Sequence, residues 1–226
     1  MEQLRVLIGI PVFNEEDTIV SIVSSFEKYG DVFVFDDGST DTTLDQVKKT
    51  GCKYLSSADN KGYDNALIEI FKFFKNSQYT HLITADGDEQ HTSSAIIEAV
   101  KCIDENKDLR IAVGQRNHLN RLSEHIFSLC LYPFLLVSDP LSGLKIYEKE
   151  FICKFLPGIS KLNFGTSLLF EARSNNISVA CFNIQINKRL GSARVGTNFF
   201  VACKLITIFL FYFRKSLMMR FKLLNI

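Results

Sequence analysis

Three apolar segments in the first half of the chain each run directly into an acidic turn, and this recurrence restricts the fold more than any other feature. The segments and their acidic residues are Val6 to Val12 before Glu15, Val32 to Phe35 before Asp36 and Asp37, and His81 to Ala85 before Asp86 and Asp88. Amphipathic helical patterns separate them, and strands that alternate with helices form right-handed crossovers in a mainly parallel sheet. The carboxyl ends of such strands meet at one edge, where open α/β sheets bind their ligands. We therefore predict an α/β fold, with helices flanking the sheet and the acidic turns side by side.

The same alternation continues through most of the remaining chain. The predicted elements are a helix at Ser93 to Ile103, a strand at Ile111 to Gly114, a mostly helical segment at Leu119 to Leu136 interrupted by Pro133, a turn and strand at Asp139 to Tyr147, a helix at Gly165 to Ser174 and a strand at Ser178 to Ile186. The sequence has no internal repeat and no low-complexity linker. We expect one domain over residues 1–195 and a distinct segment at 196–226.

Composition and cysteine usage indicate a globular protein in a reducing compartment. Of the 226 residues, 46% are apolar and 23% are charged, which excludes a disordered or collagen-like chain. The six cysteines are spread evenly without a C-x-x-C pair, so we expect buried thiols. A strand begins almost at once, at Arg5, so no signal peptide is expected. These features predict a cytoplasmic location, and no nucleic-acid partner is expected.

Charge is unevenly distributed along the chain. Nine Lys and Arg residues and no Asp or Glu follow Glu171, although the net charge of the whole chain is only +1. Within this part, Phe199 to Phe213 is apolar except for Lys204 and Thr207, and it is shorter than the roughly 20 residues of a spanning helix. Aromatic and aliphatic residues bordered by cations are typical of a helix in the interface of an anionic membrane. We predict such a peripheral helix at 196–226; a C-terminal helix packed on the domain is the alternative.

The third acidic turn has the pattern of a cation site. Asp86 and Asp88 flank Gly87, which lets the backbone turn tightly beside a ligand. Two carboxylates aimed at one point suit Mg²⁺ or Mn²⁺ and leave coordination positions for phosphate oxygens. Several acidic turns at one edge would repel each other without a cation, so a metal–nucleotide ligand is expected there. A solvated turn after a strand is the alternative for an isolated Asp-x-Asp pattern.

Five motifs in register resemble a known family. They are, in chain order, Pro11-Val12-Phe13-Asn14-Glu15-Glu16, Asp36-Asp37-Gly38-Ser39-Thr40-Asp41, Asn60-Lys61-Gly62, Asp86-Gly87-Asp88-Glu89-Gln90-His91 and Asp139-x-x-Ser142-Gly143. The sequence resembles the family 2 glycosyltransferases of the GT-A fold, a Rossmann-like fold for nucleotide-diphospho-sugars. Within that family, Gln90-His91 and the segment 189–194 are most similar to dolichol-phosphate mannose synthases and bacterial polyprenyl-phosphate glycosyltransferases. The resemblance covers about residues 4–195.

The resemblance implies how the nucleotide-sugar donor is held. The nucleoside would be bound by Pro11, Phe13 and Glu15, with Asp37 on the base or ribose. The divalent cation on the diphosphate would be held by Asp86 and Asp88, assisted by Gln90. Phe13 stands where the family usually has Tyr.

The resemblance also implies which residues act on the transferred group. Asp88 and the three arginines Arg116, Arg189 and Arg194 are the catalytic candidates, the arginines as contacts of the donor diphosphate and the acceptor phosphate. Arg194 stands where the family usually has Lys, and its neighbour Ala193 where the family usually has Ser. A solvated surface pair is the alternative for Arg189 and Arg194.

A phosphate acceptor is favoured by an argument about the catalytic base. Inverting transfer to a hydroxyl needs a carboxylate to remove a proton, whereas a phosphate is already ionised. The chain lacks a Glu-Asp pair after Asp88 of the kind that other family members use as a base. We therefore expect inverting transfer to a polyprenyl phosphate at the cytosolic membrane face. Asp139 and Ser142 are acceptor-site candidates; a simple turn at Asp139-Pro140 is the alternative.

Other functions remain as alternatives. The acceptor would instead be a hydroxyl of a lipid-linked glycan or polysaccharide, or the protein would be a catalytically silent nucleotide-sugar binder. Intact Asp37, Asp86, Asp88 and Arg189 weigh against the silent form. A sugar nucleotidyltransferase is weaker still, because the Gly-rich, basic N-terminal loop that it would need is missing.

Several polar residues have structural interpretations. Asp17 or Thr18 is expected to cap the first helix, and Asp36 and Asp41 to cap turns. His91 is expected to be a cap rather than a ligand. An apolar stripe is predicted to be core or membrane-facing packing, and its members are Leu119, Leu122, Ile126, Leu129 and Phe134.

Overall fold

The structure is a computed structural model that describes residues 4–88, 91–117, 122–159 and 163–186, together with Thr207, Leu210, Phe213 and Arg214. Its strands are β1 (Val6–Val12), β2 (Asp31–Asp36), β3 (Lys53–Ser56), β4 (His81–Thr84), β5 (Ile111–Arg116), β6 (Lys145–Glu148) and β7 (Ala180–Ile184). Its helices are α1 (Ile19–Phe26), α2 (Thr43–Thr50), α3 (Tyr63–Lys75), α4 (Ser93–Glu105), α5 (Leu122–Leu135), α6 (Lys149–Phe155) and α7 (Phe164–Ser174).

The strands form one sheet in the order β3-β2-β1-β4-β6-β5-β7. All neighbouring pairs are parallel except those of β6, which runs antiparallel to both β4 and β5. The predicted α/β fold with a mainly parallel sheet is therefore confirmed. Because β6 is reversed, its amino end lies at the edge where the other strands have their carboxyl ends. The loop that leads into β6 consequently joins the three acidic turns.

Helices cover both faces of the sheet, and alternating strand residues feed two apolar cores. One core gathers side chains from α3, α5, α6 and α7 with Leu7, Phe33 and Leu82 of the strands. The other gathers α1, α2 and α4 around Ile8 and Ile83. Neighbouring strand residues point to opposite faces, so a strand buried on both sides is apolar throughout, as β1 is.

The prediction that Pro133 interrupts the fifth helix is wrong. α5 continues through Pro133 to Leu135, and the amide of Leu136 still donates to the carbonyl of Tyr132 at 2.8 Å. Proline removes one backbone donor and crowds the carbonyl four residues earlier, that of Leu129. Leu129 is 76% exposed, so water can solvate that carbonyl and the helix tolerates the proline.

The predicted apolar stripe of this helix is core only in part. Ile126 and Leu129 are exposed, whereas Phe134 is half-buried against the core to which Phe127, Leu131 and Leu135 belong. Core packing is therefore wrong for Ile126 and Leu129 and confirmed for Phe134, and membrane-facing packing stays a prediction for the two exposed residues. Leu119 lies outside the described residues.

The expectation that the cysteines are buried is also wrong for most of those described. Cys102 is buried and Cys52 is half-buried, but Cys130, Cys153 and Cys181 are exposed, and all five are free thiols. An even spread along the sequence says nothing about which face of an element a residue occupies. Cys203 lies outside the described residues.

Candidate active site at the carboxyl edge of the sheet

The loops after β1 and β2 are joined by hydrogen bonds between hydroxyls, amides and backbone groups; we call this part, residues 13–18 and 36–43, the hydroxyl side. Asn14, with φ 53°, donates its amide hydrogen to Ser39 Oγ at 2.9 Å and accepts from the Thr40 amide at 2.8 Å. The Glu15 amide donates to Thr43 Oγ1 at 2.7 Å. These hydrogen bonds hold the two loops together, and the predicted nucleoside contacts lie on or beside them.

The predicted nucleoside contacts differ in accessibility. Phe13 and Glu15 are half-buried at the mouth of the edge, whereas Pro11 is buried within β1 opposite Phe35. Asp37 is 3% exposed, and its carboxylate accepts hydrogen bonds from two backbone amides, those of Lys61 at 3.1 Å and Gly62 at 2.7 Å. Asp37 thus holds the start of α3 against the hydroxyl side.

Three predicted capping residues have different outcomes. Asp36 accepts from the Ser39 amide at 3.2 Å and Asp41 from the Thr43 amide at 2.9 Å, so both stabilise turns as expected. Thr18 stands at the N-cap of α1 but makes no side-chain cap bond, so that prediction is wrong. Its hydroxyl donates instead to the carbonyl of Gly87 at 2.8 Å and ties α1 to the Asp86–Asp88 turn.

The remaining loops at this edge carry charge; we call this part, residues 86–88, His91, Arg116 and 139–145, the charged side. Asp86 Oδ1 accepts from the hydroxyl of Tyr63 at 2.9 Å. Its other oxygen lies against Gly143, where an added Cβ would come within 2.2 Å of Oδ2. Asp88 is 8% exposed, whereas the side chain of Asp86 is 26% exposed and reaches the surface of the site.

His91 fixes the backbone of this turn. Its Nδ1 accepts from the Asp86 amide at 3.0 Å, so this nitrogen carries no proton. Burial lowers the pKa of His91, although Asp86 and Asp88 act in the opposite direction. The residue is structural, as predicted, but the cap of α4 is Thr92, whose hydroxyl accepts from the Ala95 amide.

Arg116 and Asp139 form a bidentate ion pair. The Nε–Oδ2 distance is 2.6 Å and the Nη2–Oδ1 distance 2.9 Å, and Glu124 lies 3.6 Å from Nη2. Burial disfavours the charge of Arg116, but bonding and attraction from Asp139 and Glu124 outweigh it and raise the pKa. Asp139 is 2% exposed, and the other acceptor-site candidate, Ser142, is fully buried. Both candidates thus lie beneath the surface of the site.

Lys145 and Tyr63 are site residues that the sequence interpretation missed. Lys145 is buried at the start of β6, opposite Thr84 of β4, and donates to the carbonyl of Ser142. Burial lowers its pKa to about 8, although Asp139 and Asp86 favour its charge. A single lysine within the apolar run Leu144 to Tyr147 was the available signal.

The donor set fits a hard divalent cation only in part. Asp86 and Asp88 offer carboxylate oxygens, which Mg²⁺ and Mn²⁺ prefer. Within the described ranges, no group of three or more His, Cys, Asp or Glu is arranged to hold a metal ion. Mg²⁺ is typically bound by one or two carboxylates together with substrate phosphates and water. The arrangement therefore fits a cation that arrives with a diphosphate. Gln90, Arg189 and Arg194 lie outside the described residues.

Comparison with known proteins agrees with this site. Residues 7–139 match glycosyl transferase family 2, and the chain belongs to that family. Its activity is accordingly that of a glycosyltransferase. The match begins in β1 and ends at Asp139, so it includes the hydroxyl side and the Asp86, Asp88 and Arg116 part of the charged side, but not residues 140–145.

Individual relatives are more distant. The chain is 29% identical over 163 residues to an uncharacterized protein of Methanocaldococcus jannaschii, covering 63% of this chain and 71% of the relative. It is 20% identical over 215 residues to a dolichyl-phosphate beta-glucosyltransferase of Dictyostelium discoideum, covering 80% and 65%. A solved structure, the glucosyl-3-phosphoglycerate synthase of Mycobacterium tuberculosis with Mn²⁺, UDP and phosphoglyceric acid, aligns with a TM-score of 0.69 at 18% identity and covers 84% and 72%. That structural match shows the shared fold.

Proposed function

We propose that this protein transfers a sugar, with inversion, from a nucleotide-diphosphate sugar to a polyprenyl phosphate at a membrane surface. The observation that carries the acceptor class is the state of the carboxylates near Arg116. An acceptor hydroxyl would need a base, but both oxygens of Asp139 face Arg116, and Glu124 lies against the same guanidinium. A phosphate acceptor needs no base, only orientation and charge neutralisation.

In the proposed complex, the nucleotide-sugar donor extends along the carboxyl edge of the sheet, from the hydroxyl side to the charged side. Phe13, Glu15 and Asp37, with Pro11 behind them, bound the nucleoside on the hydroxyl side. Support comes from the solved relative, which holds Mn²⁺ and UDP-glucose in another of its complexes. Asp37 acts partly through Lys61 and Gly62, since it fixes the loop that closes this pocket.

The diphosphate lies on the charged side. Asp86 and Asp88, with Gln90, would hold Mg²⁺ or Mn²⁺, which would neutralise the diphosphate and make it a better leaving group. Arg116, Arg189 and Arg194 contact donor and acceptor phosphates. An acceptor phosphate oxygen forms the new bond to the anomeric carbon as the bond to the diphosphate breaks. The nucleoside diphosphate departs with that electron pair.

A polyprenyl acceptor requires the site to lie near a lipid surface, and α5 offers an apolar face there. Its exposed large side chains are Ile126 at 56%, Leu129 at 76% and Tyr132 at 49%, with Leu136 at 52% just beyond the helix. Glu124, in the first turn of α5, lies 3.6 Å from Arg116, so the amino end of this helix adjoins the charged side. Phe134 makes an edge contact with Phe213 of the C-terminal segment at 6.0 Å between ring centroids. No helix among the described residues is long and apolar enough to cross a membrane.

The name of the Dictyostelium relative supports the same acceptor class, because it is a dolichyl-phosphate glucosyltransferase. Residues 196–226, largely outside the described residues, are proposed as an interfacial helix. Four cations near an anionic surface would contribute roughly 4 kcal/mol before screening. The protein would then act as a peripheral enzyme on the cytosolic face.

The test is an acceptor panel with the full chain, Mn²⁺ and labelled UDP-, GDP- and dTDP-sugars. The acceptors are a polyprenyl phosphate, the matching dephosphorylated polyprenol, and a lipid-linked sugar with free hydroxyls, each in phosphatidylglycerol vesicles. Product on the polyprenyl phosphate alone supports the proposal. Product on the lipid-linked sugar alone assigns a hydroxyl acceptor, and donor binding without any product assigns a silent binder.

The proposed lipid-facing surface of α5 and the C-terminal segment is tested separately. The double variant Ile126→Gln/Leu129→Gln should reduce sedimentation with phosphatidylglycerol vesicles, as should truncation after Gly196. Leu55→Gln, at an equally exposed position on the edge strand β3, is the matched control and should change nothing. Unchanged sedimentation of both altered proteins would mean that neither α5 nor the C-terminal segment faces the lipid.

A further inference from the structure

The amino end of α3 is held by two carboxylates from different strands. Asp37, after β2, accepts from the amides of Lys61 and Gly62, and Asp86, after β4, accepts from the hydroxyl of Tyr63. Gly62 has φ 90°, a left-handed conformation that favours glycine and turns the chain between the two contacts. Three consecutive residues thus connect the hydroxyl side to the charged side.

The side chain of Tyr63 is exposed, but its hydroxyl is hydrogen-bonded to Asp86. The residue is 49% exposed, although it is the first residue of α3 and lies at the site. Its hydroxyl donates to Asp86 Oδ1 at 2.9 Å. The ionised carboxylate of Asp86 can only accept, so the phenol hydroxyl is the donor of this bond. Core packing therefore does not account for the position of this residue.

The Tyr63 hydroxyl fixes the orientation of the Asp86 carboxylate, which the other contacts of this turn leave open. The backbone of Asp86 is held by His91, and Gly143 leaves room for Oδ2 without bonding to it. A carboxylate can still rotate about its terminal torsion, which has broad minima. A hydrogen bond from a neutral donor to one oxygen stops that rotation and leaves the other oxygen for a ligand.

We propose that Tyr63 is a positioning residue for Asp86, whose hydroxyl holds the carboxylate in the orientation that meets the cation and diphosphate of the donor. This rests on the donor part of the proposed function and not on the acceptor. Because the ring stays exposed beside Asp86, the same residue borders the space through which the donor enters.

The test is Tyr63→Phe, which removes only the hydroxyl. Binding of UDP or GDP, whichever the wild type binds with Mn²⁺, is measured by calorimetry with and without the metal. Loss of a hydrogen bond to a charged group should weaken Mn²⁺-dependent binding about tenfold, and leave metal-free binding and the melting temperature nearly unchanged. Tyr54→Phe, at a similarly exposed position on β3, is the matched control.

Three results would overturn the inference. Unchanged Mn²⁺-dependent affinity would show that the hydroxyl orients nothing, and an equal loss with and without Mn²⁺ would show a general effect on the pocket. A cycle with Asp86→Ala decides whether Tyr63 acts through Asp86, because Tyr63→Phe should then cause no further loss. Additive losses would contradict it. Failure of the wild type to bind either nucleotide would overturn the proposed donor instead.

Discussion

The two sides of the carboxyl edge hold their polar groups in different ways. On the hydroxyl side, Asn14, Ser39 and Thr43 join neighbouring loops through neutral groups, and the buried carboxylates of Asp36 and Asp37 accept hydrogen bonds from backbone amides. On the charged side, the largely buried cations Arg116 and Lys145 lie among carboxylates, those of the buried Asp139 and the half-buried Asp86. Neutral hydrogen bonds cost little to bury when they are satisfied, whereas buried charges depend on their partners. The first side therefore serves as a rigid wall, and the second is poised for the charge that a diphosphate and a cation bring.

The largest difference between the sides should appear when a buried charge loses its partner. Asp139→Ala leaves Arg116 buried next to Lys145, and removal of one member of a buried pair costs about 3 kcal/mol or more in free energy of unfolding. Urea denaturation measures this loss. Glu150→Ala, which removes an 82%-exposed partner of Arg110, is the control and should cost at most about 1 kcal/mol. Equal losses would mean that the charged side is not held by this pair.

A smaller effect should depend on pH. The pKa of Lys145 is about 8 when folded and 10.5 ordinarily, so the unfolded chain binds this proton more tightly between those values. The contribution of Lys145 to the free energy of unfolding should therefore increase as pH rises from 8 to 10.5, by up to about 3 kcal/mol. Lys145→Met should lack this increase, as seen in urea unfolding across that pH range. Lys107→Met, at an exposed position, should follow the wild type; if Lys145→Met does too, the buried lysine is not the cause.

The hydroxyl side should show the smallest effect and no such pH dependence. Asn14→Ala removes the acceptor of the Thr40 amide and replaces asparagine, which tolerates positive φ, by alanine, which tolerates it less well, so we expect a loss of about 1–2 kcal/mol. Asn14→Gly relieves the backbone conformation and isolates the hydrogen bond. Thermal unfolding of the two variants compares these terms. A loss as large as that of Asp139→Ala would remove the distinction between the two sides.

The hydroxyl side was accessible to sequence reasoning because its parts follow parallel strands directly. Glu15 and Asp37 each come just after an apolar run, and a parallel sheet places such positions along one edge. Asp86 and Asp88 follow an apolar run in the same way, so this part of the charged side was predictable too. The fold class and the structural interpretations of Asp36 and Asp41 followed from the same local patterns. Helix and strand bounds were close for the same reason, since each depends on neighbouring residues.

The charged side was less predictable because it depends on contacts between distant residues. The reversal of β6 brings Lys145 opposite Thr84. No local sequence pattern predicts whether a strand runs parallel or antiparallel to its neighbours. Tyr63 reaches Asp86 from the start of a helix 23 residues earlier. Asp139 was predicted as an acceptor contact, and that role is a proposal still, but its bonds to Arg116 could not be read from spacing alone.

In the proposed function, the charged side carries the metal-dependent step of sugar transfer. The most direct measurement is turnover of the donor on its accepted substrate, in excess EDTA and again after Mn²⁺ is restored, for the wild type and for Asp88→Asn. We expect that EDTA abolishes turnover, that Mn²⁺ restores it only in the wild type, and that Asp88→Asn stays at least about 100-fold slower while remaining folded. Full turnover in EDTA, or in Asp88→Asn, would contradict the claim.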